Sequence, residues 1–202
     1  MKRISIDKLL SDLDLQKKFF ADMKNGGVAV IPTDTLYGFA VDSSSSEAVA
    51  KIYRIKSRSE KKPLILFLGD LNQLDKINIT PDQKQKSILQ KYWPGALTAV
   101  FNFKPTSGLS AFTYQTIGVR VPGHLKLLDL LKAYPGMFLT TSANRSGLPS
   151  DKNPDVIFSE FSDEIDWFIE DGCMNEAIAS TVLDMTCEPF KVLRAGSVVP
   201  QL

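Results

Sequence analysis

Lys56 and Arg58 are two fixed cations that a single serine separates. Residues two apart lie on nearly opposite sides of an α-helix, but on the same side of an extended segment. The two charges can therefore bind one anion, such as a phosphate, only if the helix predicted before them ends before Lys56. The alternative is a solvated basic helix end, which the helix dipole favours.

A second polar cluster follows an apolar strand predicted at 137–140. In an extended chain Thr140, Ser142 and Asn144 would share one side at the carboxyl end of that strand. Ligands of open α/β sheets bind at that end. The alternative is a polar turn, because Asn, Ser and Gly are common turn residues.

A third cluster, Thr33, Asp34 and Thr35, comes directly after the apolar run 28–31, and Pro32 fixes the direction in which the chain leaves the strand. The two hydroxyls and the carboxylate can bind an ammonium or hydroxyl group of a small ligand. Equally, they can cap the next turn.

Ser180 and Arg194 stand at the start and the end of the last two predicted strands. Arg194 is a single cation after an apolar strand, which indicates either a surface ion-pair partner or a phosphate ligand. The three cations Lys56, Arg58 and Arg194 suit a polyanion. The neutral hydrogen-bonding groups, which suit a small polar molecule, belong to Thr33, Thr35, Ser142, Asn144 and Ser180. Without an obvious nucleophile or acid–base pair, catalysis would depend on positioning and charge stabilisation, as in transfers at a nucleotide phosphate.

The composition is that of an ordinary globular protein. The chain has 202 residues, of which 44% are hydrophobic and 23% charged, so we expect a single domain over 1–202. A net charge of +1 argues against a dedicated nucleic-acid binder. No apolar run reaches the roughly 18 residues of a membrane span, and the N-terminal residues do not resemble a signal peptide. A cytoplasmic location is therefore expected.

Several common kinds of catalytic site are absent from the sequence. His124 is the only histidine and has no neighbouring cysteine or histidine cluster, so a zinc site is not expected. There is no GxSxG nucleophile motif, no GxxxxGK[ST] loop and no GxGxxG fingerprint. We interpret His124 as a helix-start residue.

Helical and strand patterns alternate along the chain, which predicts an α/β fold with a mixed sheet. Helices are predicted at 7–24, from Ser45 or Ser46, from a capping box at 80–83 to about Tyr92, and at 125–131. Strands are predicted at 28–31, 63–68, 97–103, 117–121, 137–140, 166–169, 181–184 and 191–194. Helix signals after Gly147 are weak.

Seven blocks occur in a fixed order between about residues 15 and 198. They read PTDTLYG, KSR followed by KPL, YWPGALT, GVRVP, TTSAN, STVLD and LRAGS. Together they resemble the YrdC-like family, whose characterised members are threonylcarbamoyl-AMP synthases. The chain is similar to the short, single-domain form, and the family's fold is a twisted mixed sheet flanked by helices, with a concave ligand face.

The resemblance implies a reaction in which L-threonine, bicarbonate and ATP, accompanied by Mg²⁺, give threonylcarbamoyl-AMP and pyrophosphate. The product would pass to a transferase complex that modifies tRNA. Implied catalytic residues are Lys56 and Arg58, and implied nucleotide ligands are these two with Thr140, Ser142, Asn144 and Arg194. Thr33, Thr35, Tyr37 and Ser180 would line the threonine and bicarbonate side, and no protein metal site is implied.

Two alternatives stay open at this stage. One is a YciO-like protein that binds ATP without synthase activity. The other is a module that binds tRNA or other double-stranded RNA on the concave face. Any RNA binding would be weak, because non-specific affinity comes from neutralising many phosphates and the net charge is only +1.

Overall fold

The structure, a computed structural model, describes residues 1–57, 63–104, 109, 115–174 and 178–202. Arg58 lies outside the described residues. Within them the strands are β1 (Lys2–Ser5), β2 (Ala29–Ile31), β3 (Gly38–Asp42), β4 (Ile65–Phe67), β5 (Leu97–Asn102), β6 (Thr116–Arg120), β7 (Phe138–Ser142), β8 (Trp167–Glu170), β9 (Thr181–Asp184) and β10 (Lys191–Arg194). The helices are α1 (Ile6–Ser11), α2 (Leu13–Lys24), α3 (Ser46–Ile55), α4 (Gln83–Tyr92), α5 (Leu125–Ala133) and α6 (Pro154–Phe161), with a 3₁₀ helix at Leu71–Ile77.

All ten strands join one sheet in the order β1-β8-β2-β3-β7-β4-β6-β5-β9-β10. The pairs β1–β8, β2–β8, β4–β6 and β5–β9 are parallel, whereas β2–β3, β3–β7, β4–β7, β5–β6 and β9–β10 are antiparallel. The predicted α/β class and the mixed sheet are confirmed. No described helix is long and apolar enough to cross a membrane.

Two helix starts form where the sequence predicts them. Ser45 caps α3 by accepting a hydrogen bond from the backbone N–H of Ala48 at 3.2 Å. His124 caps α5 because its Nδ1 accepts from the N–H of Leu127, also at 3.2 Å. The interpretation of His124 as a helix-start residue is confirmed, and its Nε2 lies 3.2 Å from the Asp171 carboxylate.

Other boundaries differ from the prediction for local reasons. The opening helix is broken at Asp12, whose side chain caps α2 by accepting from Leu15 N–H. The capping box of α4 lies two residues later than predicted, because Asp82 and Gln85 exchange side-chain to backbone hydrogen bonds of 2.8 Å each. The sequence analysis missed β1, β3, α6 and the 3₁₀ helix.

Candidate active site

One cavity of about 340 Å³ opens on a face of the sheet between β3 and β10. Seven strands contribute to its wall, together with the loops after β2 and before β4 and β9. Seven of the residues predicted for the site line this cavity: Thr33, Thr35, Tyr37, Thr140, Ser142, Ser180 and Arg194. Stretches of the chain that are up to 161 positions apart in sequence, from Thr33 to Arg194, thus meet around one small volume.

Strand alternation explains much of this wall, since successive side chains point to opposite faces of a sheet. On β6, Gly118 and Arg120 line the cavity, whereas Val119 between them is fully buried in the core. On β5, Thr98 lines the cavity and Ala99 belongs to the core. The face of the sheet that carries the cavity is therefore rich in hydroxyl groups, and the other face is apolar.

Thr33 and Thr35 both line the cavity and also stabilise the loop after β2. The Thr33 hydroxyl accepts from the N–H groups of Thr35 at 3.0 Å and Leu36 at 3.1 Å, and donates to the Leu36 carbonyl at 2.6 Å. The turn-capping alternative therefore holds for Thr33. Ligand binding by the two threonines stays a prediction, since a capping hydroxyl can still face the cavity.

Arg120 is the main cavity residue that the sequence analysis did not single out. It is only 3% exposed. Its Nη2 donates to Asp34 Oδ1 at 2.6 Å, its Nη1 to Thr35 Oγ1 at 2.9 Å and its Nε to the Gly95 carbonyl at 2.9 Å. A guanidinium has five N–H donors, so two remain without a partner in the part of the chain that the structure describes. The one signal in the sequence is the GVRVP block, in which an arginine interrupts apolar residues.

The electrostatics of Arg120 favour an anion in the cavity. Burial lowers the pKa of Arg120, the Asp34 carboxylate opposes this effect, and the charge of Arg194 lowers it further. Burial also lowers the pKa of Arg194. Two arginines that repel each other across one cavity bind a polyanion more readily than either would alone.

Tyr37 is held rigidly in its neutral form. Its hydroxyl donates to the Gly172 carbonyl at 2.7 Å and accepts from the Asp171 N–H at 3.0 Å, and its side chain is 1% exposed. Burial raises the pKa of Tyr37 to about 12; the Asp171 N–H opposes this effect, and the carboxylates of Glu170 and Asp171 add to it. Tyr37 can thus form part of the cavity wall, but it is not poised to exchange a proton near neutral pH.

Lys56 lies immediately after α3, which ends at Ile55 as the pairing of Lys56 with Arg58 requires. Its ammonium contacts the carbonyl oxygens of Ser142 at 2.5 Å and Asn144 at 2.7 Å, and the Asn144 side-chain oxygen at 3.1 Å. Lys56 is only 2% exposed, so the alternative of a solvated basic helix end does not hold for Lys56. The reason is that the turn after β7 folds over it. Lys56 is not among the residues that line the cavity; whether it contacts a phosphate stays a prediction.

Ser142 and Asn144 are joined to each other and to this turn. The Ser142 hydroxyl donates to Asn144 Oδ1 at 2.6 Å, and Asn144 Nδ2 donates to the carbonyls of Arg145 at 3.0 Å and Leu148 at 2.5 Å. Ser142 lines the cavity, whereas Asn144 closes the turn behind it. Thr140 lines the cavity and donates to the Ile65 carbonyl at 3.1 Å.

Ser180 and Arg194 form the far wall of the cavity. Arg194 Nη2 contacts the Ser180 carbonyl at 2.9 Å and its hydroxyl at 3.2 Å, and the same hydroxyl lies 2.9 Å from Thr98 Oγ1. The tail behind this wall packs closely against it, because a Cβ at Gly196 would lie 2.3 Å from the Ala179 carbonyl oxygen. Only glycine therefore fits at 196.

Comparison with known proteins gives these residues a family context. A family model for Sua5/YciO/YrdC proteins, described as telomere recombination, matches residues 21–196. The threonylcarbamoyl-AMP synthase of Bacillus subtilis is 29% identical over 186 residues, which are 89% of this chain and 52% of that protein.

Two solved structures have the same fold. Pyrococcus abyssi Sua5 complexed with L-threonine superposes with a TM-score of 0.81 and 27% identity, over 96% of this chain and 56% of that one. Escherichia coli YciO superposes with a TM-score of 0.79 and 26% identity, over 92% of this chain and 90% of that one. The chain thus spans about half the length of the B. subtilis synthase and of Sua5, and nearly all of YciO. Because the family model covers most of its residues, the chain belongs to the Sua5/YciO/YrdC family.

Proposed function

We propose that this chain is an L-threonylcarbamoyl-AMP synthase, which converts L-threonine, bicarbonate and ATP to threonylcarbamoyl-AMP, pyrophosphate and water. The observation that carries the proposal is the cavity, where two mutually repelling arginines, Arg120 and Arg194, meet a wall of hydroxyl groups. The name of the B. subtilis relative and the threonine bound to P. abyssi Sua5 support the same activity.

Arg120 and the loop after β2 form the amino-acid end of the site. Asp34 and Thr35 fix the guanidinium of Arg120, so its two remaining N–H donors can form a paired contact with the carboxylate of threonine. Thr33, Thr35 and Tyr37 surround the small substrates on this side. Ser180, which contacts Arg194 in the far wall, would also contact the small substrates.

Arg194 and the strand end of β7 form the nucleotide end. Arg194 would bind phosphate oxygens, helped by the hydroxyls of Thr140 and Ser142, with Asn144 holding the turn that places Ser142. Lys56 would supply positive charge behind that turn, and Arg58 would act beside it. Mg²⁺ would enter with ATP and be held mainly by the phosphate oxygens of the ATP. Hydroxyl and guanidinium groups of the described cavity wall would bind the phosphate charge that Mg²⁺ leaves unneutralised.

The chemistry then needs alignment more than acid–base catalysis. The deprotonated amine of threonine attacks the carbon of bicarbonate, and loss of water gives the carbamate. A carbamate oxygen attacks the α-phosphorus of ATP, the bond to the bridging oxygen breaks, and pyrophosphate leaves. Arg194 and its neighbours would stabilise the negative charge that develops on the phosphoryl oxygens.

The product would serve a cytoplasmic transferase complex that places the threonylcarbamoyl group on tRNA. Weak RNA binding by the chain itself would assist that transfer. The second candidate is a YciO-like protein that binds ATP without making the adenylate, and the fold shared with Escherichia coli YciO, at a TM-score of 0.79, supports it.

Pyrophosphate release from ATP and Mg²⁺, measured with and without L-threonine and bicarbonate, tests the proposal. Arg194→Gln removes a charge from the cavity wall, and Lys191→Gln removes one from an exposed position on the same strand. We expect release that requires both small substrates, is at least tenfold slower in Arg194→Gln, and is unchanged in Lys191→Gln. Release that ignores threonine, or ATP binding without release, would instead identify the YciO-like activity.

A further inference from the structure

The last strand, β10, contains an irregularity that changes which of its side chains face the cavity. Val192 pairs with Leu183 of β9 and Arg194 pairs with Val182, so Leu193 is an extra residue in the ladder. Consecutive residues of a regular strand point to opposite faces, yet Leu193 and Arg194 both line the cavity. Such bulges redirect side chains, and they are frequent beside functional sites.

The redirected Leu193 completes an apolar strip across three neighbouring strands. Val100 of β5 and Val182 of β9 also line the cavity, and both are only partly buried. Leu193 is 59% exposed. Since adjacent strands lie about 4.8 Å apart, the three side chains extend over roughly 10 Å. An accessible apolar strip in a cavity wall offers a surface that an apolar part of a ligand can cover, and burial of the two surfaces stabilises the bound state.

The proposed substrates offer one group that matches this strip. Threonine and bicarbonate are small and polar, and phosphates need hydrogen-bond donors, which lie elsewhere in the cavity. The base of the nucleotide is the remaining group, and its flat face is apolar. The base would also lie close to Leu193, because Arg194, the proposed phosphate ligand, is adjacent to Leu193 in the chain.

We propose that Leu193, turned into the cavity by the bulge of β10, is a specificity-determining residue that packs against the base of the bound nucleotide. Val182 and Val100 extend the same surface. This assignment rests on the proposed function, because it takes ATP as the ligand whose phosphates lie near Arg194. It also explains why a large apolar side chain stays exposed at the cavity until the nucleotide covers it.

The test compares ATP with inorganic tripolyphosphate, which carries the phosphates without the base. Binding of each, with Mg²⁺, is measured by calorimetry for the wild type and for Leu193→Asn, a substitution close to leucine in shape. We expect the affinity for ATP to fall about tenfold in Leu193→Asn, from loss of apolar contact. The affinity for tripolyphosphate should stay unchanged. Leu193→Met should bind ATP as the wild type does.

Val192→Asn is the matched control. Val192 is 46% exposed on the same strand but does not line the cavity, so this variant should bind both ligands normally. Equal ATP affinity in Leu193→Asn and the wild type would overturn the assignment, as would an equal loss of tripolyphosphate affinity. A wild-type protein that binds neither ligand would overturn the proposed function instead, which separates the two failures.

Discussion

At the scale of single residues, Lys56 connects two parts of the candidate site. It follows the last residue of α3, and its ammonium contacts three oxygens of Ser142, the last residue of β7, and Asn144, just after it. Because Ser142 in turn lines the cavity, Lys56 fixes the position of a cavity residue. A role in stability therefore accompanies whatever direct role its charge has in catalysis.

Replacing Lys56 tests this stabilising role. In Lys56→Met the hydrocarbon stem is kept, but the part-buried carbonyls of Ser142 and Asn144 lose the charged ammonium donor, and the Ser142 carbonyl keeps only the Asn144 N–H at 3.0 Å among the described donors. Hydrogen bonds to a charged donor contribute about 1.5–3 kcal/mol, so we expect the free energy of unfolding in urea to fall by about that amount, together with the proposed synthase activity. Lys51→Met is the control, because Lys51 lies within α3, is partly exposed and donates to the Gly26 carbonyl at 3.2 Å instead of to the turn after β7. Equal stability of the two variants would contradict a positioning role for Lys56.

The sequence predicted the polar residues that stand at strand ends but not the arginine within a strand. Thr33, Ser142 and Ser180 follow or precede apolar runs, which is where a site is expected. Arg120 alternates with valines in GVRVP, and the same pattern is typical of an outward-facing surface residue. Its burial depends on Asp34, a partner 86 residues away, which no local pattern reveals.

At the scale of elements, the end of α3 places Lys56 and directs the chain toward Arg58. The residue after the cap, Ser57, has φ of +48°, in the left-handed region that favours glycine. This conformation stops the helix without a glycine, at some cost in backbone energy. Because no glycine marks this position, the sequence alone did not show where the helix ends.

Ser57→Gly should relieve that strain. We expect the free energy of unfolding to rise by up to about 1 kcal/mol, since glycine adopts positive φ without penalty but loses more chain entropy on folding. Asn78→Gly is the matched comparison. Asn78 has φ of +57° at the end of the 3₁₀ helix, and asparagine tolerates this region, so its gain should be smaller. A loss of stability in Ser57→Gly would show that the serine side chain contributes more than the strain costs.

Elements with capping signals were predicted better than buried ones. Ser45 and His124 mark real helix starts because each side chain satisfies a backbone N–H of the first turn. The strand β3 was missed because all five of its residues are buried, which removes the polar–apolar alternation. For α6 a signal was present, since Asn153 caps it and Pro154 opens it, but the helix is short and only three of its residues are buried.

At the scale of the whole molecule, the site depends on the order of the strands. Its wall uses β3, β7, β4, β6, β5, β9 and β10, which are contiguous in the sheet, although of the neighbouring pairs only β5–β6 and β9–β10 are also consecutive in the sequence. The family resemblance implied that the predicted residues converge, and the sheet order shows how seven of them do. Periodicity alone could not predict this convergence, because it indicates where strands lie in the sequence but not which strands pair with each other.

The free energy of unfolding of the whole chain should depend on pH through its buried tyrosines. Burial raises the pKa of Tyr37 to about 12 from the ordinary 10.0, and burial together with the Asp42 carboxylate raises the pKa of Tyr134. Between pH 10 and about pH 12 the unfolded chain loses the phenolic proton of Tyr37 while the folded chain keeps it. This contribution is fully present below pH 10 and is lost as the pH rises toward 12.

Denaturant unfolding between pH 9 and 12 measures this loss. For the wild type we expect the free energy of unfolding to fall, with Tyr37 contributing up to about 1.4 kcal/mol per pH unit over that range. Tyr37→Phe lacks the titrating group and should show a shallower decline, although it starts lower because the Gly172 carbonyl and the Asp171 N–H lose their partner. Parallel curves for the two proteins would mean that Tyr37 titrates equally in both states, and its rigid neutral role in the cavity wall would be wrong.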